Sequence, residues 1–327
     1  MNHIRAKSGR QGTVLDLIGD TPLVRLKHIA NDLGSEILCK LEYMNPSGST
    51  KDRIALRMIE SAERQGLLKP GYTIVEASSG NTAIALSLVA AVKGYEMVAF
   101  VPNTVANPER TKTIEAYGAQ IQFVDLEDEG RSLDAGVHGA LSEIVPRMKC
   151  RDLEASRPDV WWARQFSNPD NVAAHRETTG REILEQTNGN VAAVVASIGT
   201  GGTLMGVAQA LGDRTPACEI IAVEPAEDPV LGRGKDGMPV IEGITDGIAL
   251  EMLNTDLADE VILVSDRDAI ATTHLLAEKE GLFCGVSSGA NVFAAIKVAE
   301  RLGQGKRVVA ILPDSRNRYL SVERYIT

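Results

Sequence analysis

One lysine follows a loop of small polar residues, at a point where a helix is expected to begin. The loop spans Asn45–Thr50, and Lys51-Asp52-Arg53 comes directly after it. A lysine held at the mouth of a cleft can lose its proton and form a Schiff base with a carbonyl group. Lys51 is therefore a candidate covalent catalyst, provided that other segments of the chain build a cleft around it.

A glycine-rich turn lies between an apolar strand pattern and a helix pattern. Ser197–Thr203 follows the strand predicted at Ala192–Ile198. Backbone N–H groups at a helix N-terminus attract anions, and the hydroxyls of Thr200 and Thr203 add donors, so the turn suits a phosphate. A dinucleotide site is the competing interpretation, but Leu204 stands where its third glycine is needed. A plain structural turn is the weaker alternative.

Two further segments of small polar residues precede predicted helices. Ser78–Thr82 follows the strand predicted at Thr73–Ala77, a placement that suits a carboxylate, and Cys284–Ala290 contains two serines. Serine and asparagine are ordinary N-cap residues, so each segment alone is consistent with a capped helix start. Beside the lysine loop and the glycine turn, we interpret Ser78–Thr82 as a second anion site. For Cys284–Ala290 alone, the cap is the safer interpretation.

Composition and charge narrow the class of protein. The chain has 327 residues, of which 44% are hydrophobic and 24% charged, enough for two domains with substantial cores. A formal net charge of −10 argues against binding to nucleic acid or to anionic membranes. The four cysteines have neither C-x-x-C nor zinc-ligand spacing, so no metal site is expected. No apolar run is long enough to span a bilayer, and we expect a cytoplasmic protein.

Short apolar runs alternate with longer amphipathic patterns, which predicts an α/β fold with largely parallel sheets and right-handed crossovers. The predicted strands are Ile37–Tyr43, Thr73–Ala77, Met97–Val101, Ile121–Val124, Ala192–Ile198, Ile220–Val223, Val261–Val264 and Val308–Leu312. The predicted helices include Lys51–Gln65, Thr82–Val92, Asn107–Tyr117, Asn171–Glu185 and Asp266–Glu280. These strands are too many for one ordinary sheet, so we expect two α/β domains that meet near Pro146–Pro158.

Taken in order, the segments resemble the cysteine synthase and cystathionine β-synthase family of fold-type II pyridoxal 5′-phosphate (PLP) enzymes. Seven segments spread over essentially the whole chain carry this resemblance: Ile18–Leu23, Asn45–Arg53, Ser78–Thr82, Gln165–Pro169, Gly199–Thr203, Gly285–Gly289 and Ile311–Ser315. The resemblance implies two three-layer α/β domains with the active site in the cleft between them. The smaller, mobile domain would comprise roughly residues 40–148 with an N-terminal arm, 1–12. Roughly residues 13–39 and 149–327 would form the larger domain, which binds the PLP phosphate.

The resemblance also implies roles for individual residues. Lys51 would carry PLP and later move the substrate α-proton, Asn81 would hydrogen-bond the PLP 3′-oxygen, and Ser287 would face the pyridine nitrogen. The residues implied for the PLP phosphate are Gly199, Thr200, Gly201, Gly202 and Thr203, and those implied for the substrate are Ser78, Ser79, Thr82, Gln165 and Gly243. A serine opposite the pyridine nitrogen makes PLP a weaker electron sink than an aspartate would, which favours β-replacement over transamination.

We therefore expect a homodimeric cysteine synthase that converts O-acetylserine and sulfide into cysteine and acetate, with serine acetyltransferase as a further partner. Cystathionine β-synthase chemistry on serine and homocysteine stays open, as does a synthase that uses O-phosphoserine with sulfide or an amine. Ser78, Thr245-Asp246 and Val105–Pro108 depart from the commonest family pattern around the substrate. Alternatives from other classes are an inactive regulatory homologue and a nucleotide-dependent oxidoreductase.

Other polar residues are interpreted as ordinary. His175 is expected to be a partly buried histidine without a catalytic role. Four arginines are expected to be solvated or salt-bridged, although one of them could contact a phosphorylated substrate: Arg110, Arg151, Arg164 and Arg318.

Overall fold

The computed structural model describes residues 12–125, 135–227 and 258–322, apart from single positions 213 and 216. The helices in these residues are α1 (Lys51–Arg64), α2 (Asn81–Lys93), α3 (Pro108–Ala116), α4 (Ala135–Ser156), α5 (Pro169–Glu177), α6 (Thr179–Thr187), α7 (Gly202–Gly212), α8 (Asp266–Glu280) and α9 (Val286–Leu302). The strands are β1 (Leu23–Arg25), β2 (Glu36–Leu41), β3 (Thr73–Ala77), β4 (Glu96–Pro102), β5 (Gln120–Val124), β6 (Val160–Trp162), β7 (Ala193–Ser197), β8 (Glu219–Pro225), β9 (Glu260–Val264) and β10 (Arg307–Leu312).

The strands form two separate sheets. The larger has six strands in the order β1-β2-β10-β7-β8-β9, and only β1 runs antiparallel to its neighbour. The smaller has four parallel strands in the order β5-β4-β3-β6. The predicted α/β fold with largely parallel sheets is confirmed.

Apolar residues on both faces of the central strands explain this architecture. Every residue of β3 is buried, and β7, β8 and β10 are buried except for one terminal residue each. Neighbours along a strand point to opposite faces, so Ile74 and Val75 of β3 belong to different hydrophobic clusters. In the larger sheet, Val194 and Val195 of β7 are divided in the same way. Each sheet is therefore covered on both faces, as parallel sheets require.

Two elements differ from the predicted pattern. The helix predicted at Asn171–Glu185 is two helices, α5 and α6, because Thr178 leaves helical geometry with φ −122° and ψ −79°. The boundary predicted near Pro146–Pro158 falls largely within α4. Beyond it, β6 still pairs with β3, so the four-stranded sheet extends past residue 148. The division into two domains otherwise stays a prediction.

A buried group of charges ties the start of α1 to the larger sheet. Arg53, two residues after Lys51, contacts Glu42 at 2.7 Å and Glu182 at 2.6 Å, and Lys40 contacts Glu182 at 2.6 Å. Burial alone would raise the pKa of Glu42, but Arg53 holds it below 4.5. Two cations and two carboxylates balance, which makes their burial tolerable. We call these four residues the charge cluster.

None of the helices in the described ranges is both long and apolar enough to cross a membrane.

Candidate active site

A pocket opens where the loops after three strands, β3, β7 and β10, come together. In parallel α/β sheets, ligands bind beyond the carboxyl ends of the strands. The structure brings most of the predicted site residues to this pocket: Lys51, Ser78, Ser79, Asn81, Thr82, Gln165, Gly199, Thr200, Gly201, Thr203 and Ser287. Gly202 is buried at the start of α7, and Gly243 lies outside the described residues.

Lys51 is the first residue of α1, and its backbone N–H donates to the Ser49 hydroxyl at 3.3 Å. Burial lowers the pKa of its amine from 10.5, while the carboxylates of Asp314 and Glu42 act in the opposite direction. A lowered pKa increases the fraction of neutral amine, the form that attacks a carbonyl or accepts a proton. The environment of Lys51 is therefore suited to covalent and base chemistry.

The glycine turn is shaped by contact with α5. Gly201 has φ +82°, and a Cβ on Gly202 would lie 1.9 Å from Oδ1 of Asn171. Nδ2 of Asn171 donates to the Thr200 hydroxyl at 3.0 Å and to the Gln165 carbonyl oxygen at 2.8 Å. Glycine is needed at 201 for the backbone conformation and at 202 for the close approach of Asn171.

His175, one turn after Asn171, contacts the second hydroxyl of the turn. Its Nε2 lies 3.2 Å from the Thr203 hydroxyl, and its Nδ1 lies 2.9 Å from that of Thr179. Burial lowers the pKa of His175 to about 3, so the ring is neutral. His175 is fully buried rather than partly buried as expected, and each of its ring nitrogens contacts a threonine hydroxyl. The spacing of four residues between Asn171 and His175 was the available signal, since it places both on one helix face.

The Ser78–Thr82 loop is held by a buried glutamate that the sequence did not reveal. Glu76 accepts hydrogen bonds from the backbone N–H of Ala77 at 2.8 Å and of Gln165 at 2.9 Å, and from the Trp162 indole at 3.1 Å. Burial raises its pKa above 4.5. The Thr82 hydroxyl in turn donates to Oε1 of Gln165. These contacts fix the loop against the segment after β6.

Further polar residues line the pocket beyond the predicted site residues, and two of them are Asp314 and Arg110. Asp314 is buried after β10, and its Oδ2 accepts from Asn81 at 2.7 Å. Arg110 of α3 is also buried, with its guanidinium carbon 4.8 Å from the centre of the Tyr319 ring. Arg110 is one of the four arginines of which one could contact a phosphorylated substrate, and its place in the pocket is consistent with that alternative.

The sequence profile of the pyridoxal-phosphate dependent enzyme family matches residues 14–314. This chain belongs to that family. It is 41% identical to the cysteine synthase of Staphylococcus aureus (strain N315) over 95% of this chain and 96% of that protein. It also matches a crystal structure of cysteine synthase from Entamoeba histolytica, with a TM-score of 0.88, 35% identity, and coverage of 100% of this chain and 94% of the other. A crystal structure of O-ureido-L-serine synthase matches with a TM-score of 0.86 and 36% identity, covering 97% and 96%.

The pocket of this PLP-dependent enzyme fits a polar cofactor. Four buried side-chain oxygens of residues that line it have no hydrogen-bond partner within the described part of the chain: Thr50 Oγ1, Asn81 Oδ1, Asn291 Oδ1 and Asp314 Oδ1. Buried polar atoms are normally paired, so such a group at one pocket indicates a polar ligand. The glycine turn at the N-terminus of α7 offers an anion site suited to the PLP phosphate.

Proposed function

We propose that this protein is a cysteine synthase, which replaces the β-substituent of O-acetylserine with sulfide. The observation that carries the proposal is one pocket that joins Lys51 to a glycine turn and to the Ser78–Thr82 loop. Its support is the 41% identity to a cysteine synthase over 95% of the chain.

Lys51 is proposed to carry PLP and to move the substrate proton. When bound, PLP withdraws electrons from the substrate Cα, which permits loss of the α-proton and of the β-substituent. Nζ of Lys51 takes the proton from Cα and later returns it. Burial favours the neutral amine that this step needs, because it lowers the pKa of Lys51.

The two anion sites are proposed to hold the cofactor and the substrate at opposite ends. Backbone N–H groups of Gly199–Thr203 and the hydroxyls of Thr200 and Thr203 would bind the PLP phosphate. Ser78, Ser79 and Thr82 at the start of α2 would bind the substrate carboxylate, with Gln165 beside them. Asn81 would donate to the PLP 3′-oxygen, and Ser287 would face the pyridine nitrogen. Fixing both ends orients Cα toward Lys51, and orientation of this kind lowers a barrier by several kcal/mol.

A second candidate is a synthase of the same reaction class with another donor or nucleophile. The matched structure of an O-ureido-L-serine synthase favours a nucleophile other than sulfide. The buried Arg110 in the pocket favours O-phosphoserine, because a guanidinium binds phosphate well. Reaction of serine with homocysteine is the third option within this class.

We further propose that the enzyme works as a cytoplasmic homodimer that can bind serine acetyltransferase. This proposal is supported by the resemblance of the seven motifs and by the cysteine synthase relatives. Size-exclusion chromatography with light scattering, with and without the acetyltransferase, tests it. A monomeric protein that does not bind the acetyltransferase would contradict this proposal.

The assay that tests the main proposal is titration of the PLP-loaded protein with O-acetylserine, O-phosphoserine and serine in turn, followed by absorbance. We expect O-acetylserine to change the visible band at the lowest concentration and added sulfide to restore it with release of cysteine. If O-phosphoserine changed the visible band at a lower concentration than O-acetylserine does, the second candidate would be favoured. A PLP-loaded protein unchanged by all three donors would contradict both.

Replacement of Lys51 by alanine should abolish turnover and the visible band of bound PLP, because no other amine of the described residues lines the pocket. Absorbance and cysteine release measure both effects. Lys93→Ala is the matched control, since Lys93 pairs with Glu63 at the surface. Turnover retained by Lys51→Ala would refute the assignment of Lys51.

A further inference from the structure

Asp314 joins the two sides of the pocket. Its Oδ2 accepts hydrogen bonds from Nδ2 of Asn81 at 2.7 Å and from the Tyr319 hydroxyl at 2.6 Å. Asn81 begins α2, beside the four-stranded sheet, whereas Asp314 and Tyr319 follow β10 of the six-stranded sheet. We call these three residues the Asn81–Asp314–Tyr319 trio. It is a direct hydrogen-bonded connection across the cleft.

The chemistry of the trio fixes the direction of each hydrogen bond. Oδ2 of Asp314 is the acceptor in both hydrogen bonds, so the amide of Asn81 turns its nitrogen toward Asp314. Burial and the neighbouring carboxylate raise the pKa of Tyr319 well above 10.0, so its hydroxyl keeps its proton and donates. Asp314 thereby selects one of the two orientations that the Asn81 amide could adopt.

Packing around Asp314 holds the carboxylate in place. Asp314 is 1% exposed, and its backbone carbonyl accepts from the Gly285 N–H at 2.9 Å. A Cβ on Gly285 would lie 2.1 Å from Oδ1 of Asp314, so only glycine leaves room for this carboxylate. The guanidinium of Arg110 lies over the ring of Tyr319, with its carbon 4.8 Å from the ring centre.

The amide of Asn81 can form further hydrogen bonds besides the one that it donates to Asp314. Its Nδ2 carries two N–H groups, and Asp314 uses one of them. Its Oδ1 is buried without a partner among the described residues, as is Oδ1 of Asp314. All three residues of the trio line the pocket. The second N–H is therefore available to a ligand there.

We propose that Asp314 is a positioning residue that acts through Asn81: it orients the amide so that the second N–H of Nδ2 meets the 3′-oxygen of PLP. The proposal rests on the proposed function to the extent that Asn81 contacts PLP. It assigns to Asp314 and Tyr319 an effect on the electronic state of the bound cofactor, because a hydrogen bond at this oxygen changes the absorption of the ring.

The first test compares Asp314→Asn with the wild-type protein, both loaded with PLP and free of substrate. An asparagine at 314 can meet either end of the Asn81 amide, so the orientation is no longer imposed. We expect a shifted visible absorption band and PLP binding weakened about tenfold, the usual effect of losing a hydrogen bond to a charged group. Asp159→Asn, which alters an exposed carboxylate, should change neither.

Tyr319→Phe is a milder variant, because it removes one donor and leaves the carboxylate. We expect a smaller shift of the band in the same direction. Urea unfolding of the apoproteins shows whether each variant folds. If Asp314→Asn does not fold, the spectrum and PLP affinity of Tyr319→Phe test the proposal. An unchanged spectrum and PLP affinity in the folded variants would overturn the proposal.

A double-mutant cycle separates action through Asn81 from a direct effect of the Asp314 charge on Lys51. In an Asn81→Ala background, Asp314→Asn should shift the band no further, because the residue that transmits the effect is gone. An equal shift in both backgrounds would overturn the proposal. The spectra need no substrate, so a wild-type protein that binds PLP but makes no cysteine contradicts the proposed function alone.

Discussion

Several buried polar residues of this protein do not line the pocket but hold the residues that do. Asn171 and His175 face the two threonine hydroxyls of the glycine turn, and Glu76 holds the loop that precedes Asn81. The sequence predicted many of the residues that line the pocket because they lie in loop motifs that resemble those of a known family. It could not predict Asp314 as the partner of Asn81, since 233 positions separate them and only the fold brings them together.

Burial of a neutral His175 predicts a particular dependence of stability on pH. The unfolded chain takes up a proton below pH 6.5, whereas the folded protein does so only near the lowered pKa of about 3. The stability contributed by the neutral ring is thus complete above pH 6.5 and is lost as the pH falls toward 3. Between pH 7 and pH 5, we expect the wild type to lose about 2 kcal/mol more unfolding free energy than His175→Gln. Urea unfolding measures this, and equal losses would contradict it.

At the scale of elements, helices α5 and α7 pack so closely that glycine is required between them. A Cβ on Gly206 would lie 2.5 Å from both the His175 Cβ and the Val172 carbonyl oxygen. Such contacts cannot be relieved by rotating a flexible side chain. The position of α5, and with it the position of Asn171 and His175, therefore depends on the small residues of α7.

We expect Gly206→Ala to lower the unfolding free energy by about 1–3 kcal/mol, the usual effect of overpacking, and to weaken PLP binding through the displaced α5. Gly212→Ala in the same helix is the matched control, because a Cβ there meets nothing within 4 Å. Thermal unfolding and PLP titration compare the two variants. If both behaved alike, the close packing would have no influence on the site.

The sequence predicted the strands better than the helices, since the predicted domain boundary falls largely within the 22-residue helix α4. All eight predicted strands are present. Most of them are nearly continuous apolar runs, as expected for buried parallel strands, whereas the edge strands β5 and β9 are more exposed. The strands β1 and β6 have three residues each, too few for a recognisable period. The break at Thr178 is followed by Thr179 and Gly180, which are poor helix formers, and the prediction of one continuous helix overlooked this signal.

At the scale of the whole molecule, the charge cluster connects β2, α1 and α6, and so fixes the helix that carries Lys51. We expect Glu182→Gln to lower the unfolding free energy by about 3–5 kcal/mol, because it leaves two buried cations with one carboxylate. Glu219→Gln, in an exposed pair with Arg301, should change it by less than about 1 kcal/mol. Urea unfolding measures the unfolding free energy of both variants. Losses of equal size would show that burial does not make removal of a carboxylate from the charge cluster more costly.

The position of β10 has a consequence for how the protein is made. This strand is the last of the described strands in the chain, yet it lies inside the six-stranded sheet, between β2 and β7. Until residue 307 and the rest of β10 have emerged from the ribosome, β2 and β7 have unpaired edges. Such edges can form hydrogen bonds with strands of other chains. Asp314 and Tyr319 emerge later still. The nascent chain therefore acquires a complete pocket only after all the other described strands have been made, and until then the open sheet edges favour aggregation.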